Sequence, residues 1–544
     1  MKKYLLLLPF VFSCLIASGL ENEKLYTNLQ DAARDAKSVK RLQLSHQKYN
    51  RLPQEIFRME NLEELIFFKT EIQQLRDGID SLSLLPNLKR LHLVWGRYQV
   101  IPENIENLQQ LEFLSFRYNP LISLPPELGN LKNLKEIDLS NNPRLIMEST
   151  FKILSELPEL EKINLAYCQL FELPSEFGGL RSLRDVNLTG NVLVNLPAEV
   201  NQIHSLETLI LDRNPRLNLE RLLNTLVNIN TLENLSIAQS NIEILPRNLK
   251  NLSMLKSLNL NGNRISQIPQ SISYLKNLEH LDLGYLFLGK NMNQITSLPN
   301  GFSELTNLKT LDLSGNVISN FRNTLRNMRH LEVLDLSWNH LENLPDFSGA
   351  KETLRELYLN NNRISMLPEW IGDFENLEIL NARADFFTLH THKMSALPNS
   401  IAQLKNLREL YLSDQVIEQL PTGFNSLQNL EVLDLRGNLL GSLPENFGDL
   451  NNLTYLNLKA NEIRQIPQSF TQISNLEFLD LSFNTGLNLN NQLQLLKPMK
   501  NLKELDISFN NTEEMHVNAL KKELPATVIR HREFPRLVPG RLRY

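Results

Sequence analysis

A frame of the form L-x-x-L-x-L-x-x-N-x-L-x-x-L-P recurs roughly every 23 residues, and it limits what this 544-residue chain can fold into more than any other feature. LEVLDLSWNHLENLPDFSGAKET, residues 331–353, shows it whole. The frame starts at Val39, Leu62, Leu88, Leu111, Leu134, Leu160, Leu183, Leu206, Leu232 and Leu255. It starts again at Leu278, Leu308, Leu331, Leu354, Leu377, Leu407, Leu430, Leu453, Leu476 and Leu502. The L-x-L core alternates, so it predicts a short strand with one apolar side. One coil of this length cannot bury its own leucines, but stacked coils bury one another's, with their strands side by side and parallel. The Asn slot is filled by Asn in thirteen of the twenty units, including Asn119, Asn191, Asn263, Asn339, Asn438 and Asn510. Such a frequency points to a structural role, in which the amide turns inward and satisfies backbone groups that the turn leaves unpaired. Gln47, Thr70, Cys168, Ser240 and Gln415 replace it elsewhere. Pro in the L-P step fixes an extended backbone on the return path.

Unit lengths vary in order. From Leu62 they run 26-23-23 three times, 30-23-23-23 twice, then 26. Such a super-period suggests growth by duplication of blocks. The 26-residue units drop L-P, and NPRLIMESTFKIL and NPRLNLERLLNTL suit a helical turn there. In the 30-residue units the frame resumes at Asn293 and at His392, six residues before Pro299 and Pro398, so seven residues are added between strand end and turn. The additions contain Tyr285, Phe287, Phe386 and Phe387. Two readings stay open: these side chains tuck onto the neighbouring coil, or they form lips over a recognition surface.

An end coil exposes a slab of leucines and needs a cover. Residues 20–38 supply a helical cap, with Leu29, Ala32, Ala33 and Ala36 on one face and Thr27 as its N-cap. The array occupies 39–524, and 525–544 give a C-terminal cap and basic tail. Residues 1–19 read as an export signal: Lys2 and Lys3, then an apolar run from Leu5 to about Ile16, too short for a membrane span. Ala17 and Gly19 form a small-residue cleavage site that would give a free secreted protein, whereas VFSC ending at Cys14 reads as a loose lipoprotein signal. Without the signal the chain has 54 basic and 61 acidic side chains, net −7, which argues against nucleic acid as partner. Only Cys14 and Cys168 exist, so stability comes from packing rather than disulfides, and Cys168 reads as a buried filler rather than a nucleophile.

Outward positions of the strands decide what the sheet can touch. Phe68, His92, Trp95, Phe113, Arg117 and Tyr118 form an early cluster, and Trp338, Tyr358, Arg383, Tyr411, Arg436 and Tyr455 a later one. Aromatic and Arg side chains on adjacent strands are the usual composition of interface anchors. Asp282, Asp312, Asp335, Asp434, Asp480 and Asp506 recur at one outward position, either an acidic stripe or filler of the repeat.

The frame is the leucine-rich-repeat signature. LYTNLQDAARDAKSVKRLQLSHQKYNRLPQEI, residues 25–56, further resembles the opening of leucine-rich-repeat proteins of pathogenic spirochaetes, the leptospiral type. There a short helix leads into V-x-x-L-x-L-S-x-Q and then L-P-x-E-I. The resemblance covers the chain beyond the signal, although the 26- and 30-residue units depart from a strict 23-residue array. The implied fold is an α/β solenoid, a horseshoe or superhelix with a parallel concave sheet of about 20 strands and a convex side of irregular, 3-10 and short helical segments. The implied role is exported protein recognition at the surface of host cells. The outward residues of the strands point to the concave face as the surface that binds a protein partner, a host surface or extracellular-matrix protein, and membrane contact is expected only through a lipid at Cys14. A structural envelope scaffold and an effector delivered into host cells are the alternatives.

No Gly-rich phosphate loop, H-E-x-x-H, G-x-S-x-G or paired C-x-x-C occurs, so neither enzyme nor cofactor is expected. His390 and His392 with Asp385 fall short of the three or four convergent ligands that zinc requires, so no metal is expected either.

Overall fold

The computed structural model describes residues 20, 22–284, 292–384, 392–490 and 492–532. The export segment with Cys14, the additions holding Tyr285, Phe287, Phe386 and Phe387, the pair Asp385 and His390, and the tail from Pro535 lie outside the described residues. Two compact units divide the rest, one reaching Asp282 and including Asn293, the other comprising Leu283 and the residues from Gln294 onward.

In the first unit twelve strands follow one another in a parallel ladder, from Leu25–Tyr26 to His280–Asp282. The register steps one repeat at a time, Leu42 against Leu65, Leu65 against Leu91, Leu91 against Leu114 and Leu114 against Ile137. Those side chains are fully buried. Burying each contributes roughly 1.5–3 kcal/mol, which is how a coil without a core of its own becomes stable. In the second unit ten strands do the same, from Thr310–Asp312 to Val528–Arg530.

The return paths behave as the L-P step dictates. Pro102, Pro197 and Pro299 are extended, with φ between −72° and −66°, and each leads into a single 3-10 turn. Where the 26-residue units drop L-P, α-helices take its place: Leu75–Leu82, Met147–Leu154 and Leu219–Thr225. In the fourth such unit the described residues form a 3-10 turn, Leu493–Leu496.

The ends are covered. Helix Leu29–Arg34 buries Ala32, but its cap is Asn28 rather than Thr27, because the Asn28 Oδ1 reaches the amides of Gln30 and Asp31 at 2.8 and 3.2 Å. Leu25–Tyr26 adds a strand ahead of the first repeat, which the repeat frame does not predict. At the far end helix Glu514–Glu523 and strand Val528–Arg530 close the second unit.

Candidate recognition surface

The Asn slot builds the frame on which any surface sits. Asn191 is buried; its Nδ2 donates to the carbonyls of Leu165 and Leu188 at 3.0 and 2.8 Å, and its Oδ1 accepts from the amides of Cys168 and Leu170, both at 3.0 Å. The usual step from the slot back to the previous strand's carbonyl is 26 residues, as in Asn263 to Ile237. It becomes 33 for Asn293 to Leu260 and for Asn316 to Leu283, so the frame does resume at Asn293, seven residues late. Gln415 spans the same 33 residues to Ala382. His392 is part-buried, whereas Asn293 is buried. Cys168 keeps the slot dry: burial pushes its thiol up to about 11, and Sγ donates to the Leu139 carbonyl at 3.3 Å.

Gly96 leaves one slot empty, and Tyr98 fills it. Its ring lies where a Gly96 Cβ would stand, and its buried hydroxyl accepts from the Ile72 amide at 3.0 Å. Burial pushes that phenol up to about 12. A second ladder of Asn, directly before the first Leu of the frame, donates to carbonyls one coil back, as Asn61 to Lys37 and Asn133 to Gln109, both at 2.8 Å. Neither feature follows from the period alone, although N-L at the start of so many frames is a signal for the second.

The acidic recurrence is explained by turn chemistry. The Oδ1 atoms of Asp312, Asp335, Asp480 and Asp506 accept from amides two residues on, at 2.8 to 2.9 Å. Asp312 and Asp335 are buried on neighbouring strands, and Asp335 is pushed up to about 8 by burial and then by Asp312. A raised carboxyl keeps its proton in the folded state, so stability is full below 3.8 and falls as pH rises towards 8. Asp335→Asn keeps the acceptor oxygen and removes the charge. It is expected to stabilise the second unit at pH 8, by on the order of 2–3 kcal/mol, and to leave pH 4 stability unchanged in urea melts.

Directly after each strand comes a position that the repeat frame marks only as x. Among the described residues its φ lies between 50° and 70° in eighteen repeats. The left-handed step swings the next residue inward to the Asn slot, while the amide still makes a last rung, as Trp95 to Arg117 at 3.0 Å and Trp338 to Asn360 at 2.8 Å. Glycine suits this conformation and occupies it at Gly190, Gly262, Gly315 and Gly437; those four are the signal the sequence offers. Trp95, Tyr118, Tyr167, Trp338, Phe483 and Phe509 occupy it elsewhere.

Trp95, Tyr118 and Trp338 are therefore corrected from strand face to turn edge, and they are exposed by 45%, 37% and 44%. In the first unit they form one assembly. The ring of Phe68 meets Trp95 edge-on at 6.5 Å, and Trp95 stacks on Tyr118 at 4.9 Å. The Lys69 ammonium lies 4.5 Å from the centre of the Trp95 ring, and the Arg117 guanidinium 4.9 Å from that of Tyr118.

His92 and Phe113 are corrected in the other sense. They hold outward strand positions but are 7% and 4% exposed, packed on each other at 4.5 Å. His92 reaches the fully buried Glu64 at 3.0 Å, and Arg41 reaches it at 2.6 Å. In the second unit Tyr358, Arg383, Tyr411, Arg436 and Tyr455 are part-buried. The Tyr411 hydroxyl donates to Glu409 at 2.7 Å, Arg436 pairs with Asp414 at 2.8 Å, and Tyr455 stacks on Phe478 at 4.4 Å. They present flat, pre-ordered surface rather than mobile side chains.

A family described as a leucine-rich repeat region matches residues 219–346 and 399–527, and further leucine-rich-repeat families match 109–156 and 353–374. The chain is a leucine-rich-repeat protein. No curated protein matches it. Among solved structures, this leucine-rich-repeat chain is similar to the TLR13–ssRNA13 complex, at 24% identity and a TM-score of 0.64 over 91% of this chain and 82% of that one. It is similar to the Arabidopsis receptor kinase HAESA, solved with the peptide hormone IDA and the co-receptor SERK1, at 24% identity and a TM-score of 0.58 over 83% and 76%. A leucine-rich-repeat protein of Leptospira interrogans matches at 26% identity over 93% and 100%, with a TM-score of 0.46. The first two likenesses concern the solenoid fold alone.

Proposed function

We propose that this leucine-rich-repeat protein is an exported, non-enzymatic recognition protein that binds a protein partner, a host surface or extracellular-matrix protein, along its turn edges. The observation that supports this reading is the choice of residue at the left-handed position. A bulky residue there costs on the order of 1 kcal/mol, and glycine makes the same turn in four other repeats. Trp95, Tyr118 and Trp338 take on that strain and leave over a third of their surface in water. Stacking on each other accounts for part of the Trp95 and Tyr118 surface, and contact with a partner would cover what stays in water. Phe68, Arg117, Tyr358, Arg383, Tyr411, Arg436 and Tyr455 flank these anchors.

Two experiments test the parts separately. Proteolysis of intact cells, with assay of culture supernatant and of the detergent phase, reports export and lipid attachment at Cys14. A chain protected in intact cells and absent from the supernatant fits an inward-facing scaffold instead. Selection of displayed random peptides on the purified chain is expected to enrich ligands that Trp95→Ala with Phe68→Ala abolishes. Failure to enrich any such ligand would remove the recognition reading.

A further inference from the structure

The two ends of the strands in the first unit differ in charge. Towards the strand starts, bases are matched to acids one coil away: Lys89 and Lys135 to Glu112 at 3.5 and 3.0 Å, Lys162 to Asp185 at 2.8 Å, and Lys256 to Glu233 at 2.7 Å. Beyond the strand ends matched pairs remain only towards the flanks, Lys48 to Glu71 at 3.3 Å and Arg264 to Glu243 at 3.8 Å, and the turns between them have none among the described residues. The five equivalent turns 94–99, 117–122, 140–145, 166–171 and 189–194 carry Arg97, Arg117 and Arg144 and no carboxylate. Lys69, just before them, and Arg213, just after, also form no ion pair with an acid among the described residues. Lys69 and Arg117 instead lie against the rings of Trp95 and Tyr118, and Arg213 donates to the Tyr167 hydroxyl at 2.9 Å. A net acidic chain thus keeps one edge basic and aromatic.

We infer that this edge, from Lys69 through Trp95, Arg117, Tyr118 and Tyr167 to Arg213, docks a short, extended, acidic segment of a protein partner. The inference rests on the recognition reading above and names the chemistry of the ligand. Lys69 and Arg117 lie two strands apart, roughly 10 Å, about the reach of three residues of extended chain. Carboxylates at every third position therefore meet successive cations while the residues between them cover the Trp95–Tyr118 stack. Charge-assisted contacts beside an apolar stack give both orientation and affinity. A long polyanion such as single-stranded RNA fits less well. Trp95 and Tyr118 already stack on each other, leaving no slot for a base, and the acidic remainder of the chain repels a polymer that runs past the edge.

Fluorescence anisotropy tests this with a labelled peptide of about twelve residues, Glu at every third position and Leu and Ser between, against a Gln-for-Glu copy and an oligouridylate of similar length. The Glu peptide is expected to bind best and to weaken at least tenfold when NaCl rises from about 50 to about 300 mM. Lys69→Glu with Arg117→Glu is expected to cost at least tenfold, and Arg247→Glu, on an exposed return path, to cost nothing. Salt dependence is read on the unaltered chain, so it decides even if the double variant folds poorly. Equal binding of the Gln peptide, tighter binding of oligouridylate, or no binding of any probe overturns the inference. Displayed ligands that are neutral or basic yet lost on Trp95→Ala with Phe68→Ala overturn it too, while leaving the recognition reading in place.

Discussion

Asn191→Ala is expected to lower the stability of the first unit by about 4 kcal/mol, one of the two largest effects foreseen. The substitution strands four buried backbone groups at once: the amides of Cys168 and Leu170 and the carbonyls of Leu165 and Leu188. A buried group left without a partner costs roughly 1–3 kcal/mol, and water cannot easily enter a side-chain position that is 2% exposed. Solenoid stability is close to a sum over neighbouring coils, so the damage should spread only to the adjacent repeats. Urea melts should show an earlier transition, and hydrogen exchange should show lost protection around Leu165–Asn191. Asn323→Ala, at an exposed position, should change stability by less than about 0.5 kcal/mol.

Glu64→Ala should have a comparable effect for a different reason. The Glu64 carboxylate is fully buried among Arg41, Arg90 and His92, and two nitrogens of Arg90 have no hydrogen-bond partner. Their charge is balanced by proximity to Glu64 at 3.6 Å and Glu136 at 3.9 Å. Removing the carboxylate leaves buried cations uncompensated, at a cost of about 3–5 kcal/mol. Acid makes the same point. Burial alone would raise the Glu64 carboxyl, but His92 and Arg41 outweigh it and hold it at about 2 rather than 4.5. The unfolded chain then binds the proton first, so the stabilisation is complete above 4.5 and is lost as pH falls through 2, roughly 3 kcal/mol in all. His92 acts in the same sense: burial lowers it, so the unfolded chain also takes up that proton more readily. Glu64→Gln should flatten the acid limb of a stability–pH curve below pH 4.5, and an unchanged slope would refute the assignment.

The parts of this molecule that were legible from sequence are those set by period. Leucines at positions such as Leu42, Leu65 and Leu91 recur with the strand, and nothing but burial explains that spacing. The seven-residue delay was legible too, because an Asn slot that must face inward cannot drift, and Asn293 resumes it. What escaped was set by backbone conformation and by neighbours one coil away. Alternation placed Trp95 and Trp338 on the strand face, whereas a left-handed residue carries both onto the turn edge. Alternation likewise exposed His92 and Phe113, but their neighbours on adjacent strands are large, and side-by-side rings and guanidinium groups cover each other. Tyr98 standing in for an absent Asn could be seen only once Gly96 and Ile72 were brought together.

On this reading the exposed aromatic residues at strand ends serve contact with a partner rather than folding. One variant, Phe68→Ala with Trp95→Ala, measured twice, tests it most directly. Ligands selected on the unaltered chain are expected to bind it at least tenfold more weakly while the circular-dichroism melting curve is little changed, because Ala keeps the Cβ and with it the left-handed backbone cost, and only the stacking of incompletely buried rings is lost. A melting temperature lowered by several degrees, with ligand affinity unchanged, would contradict it.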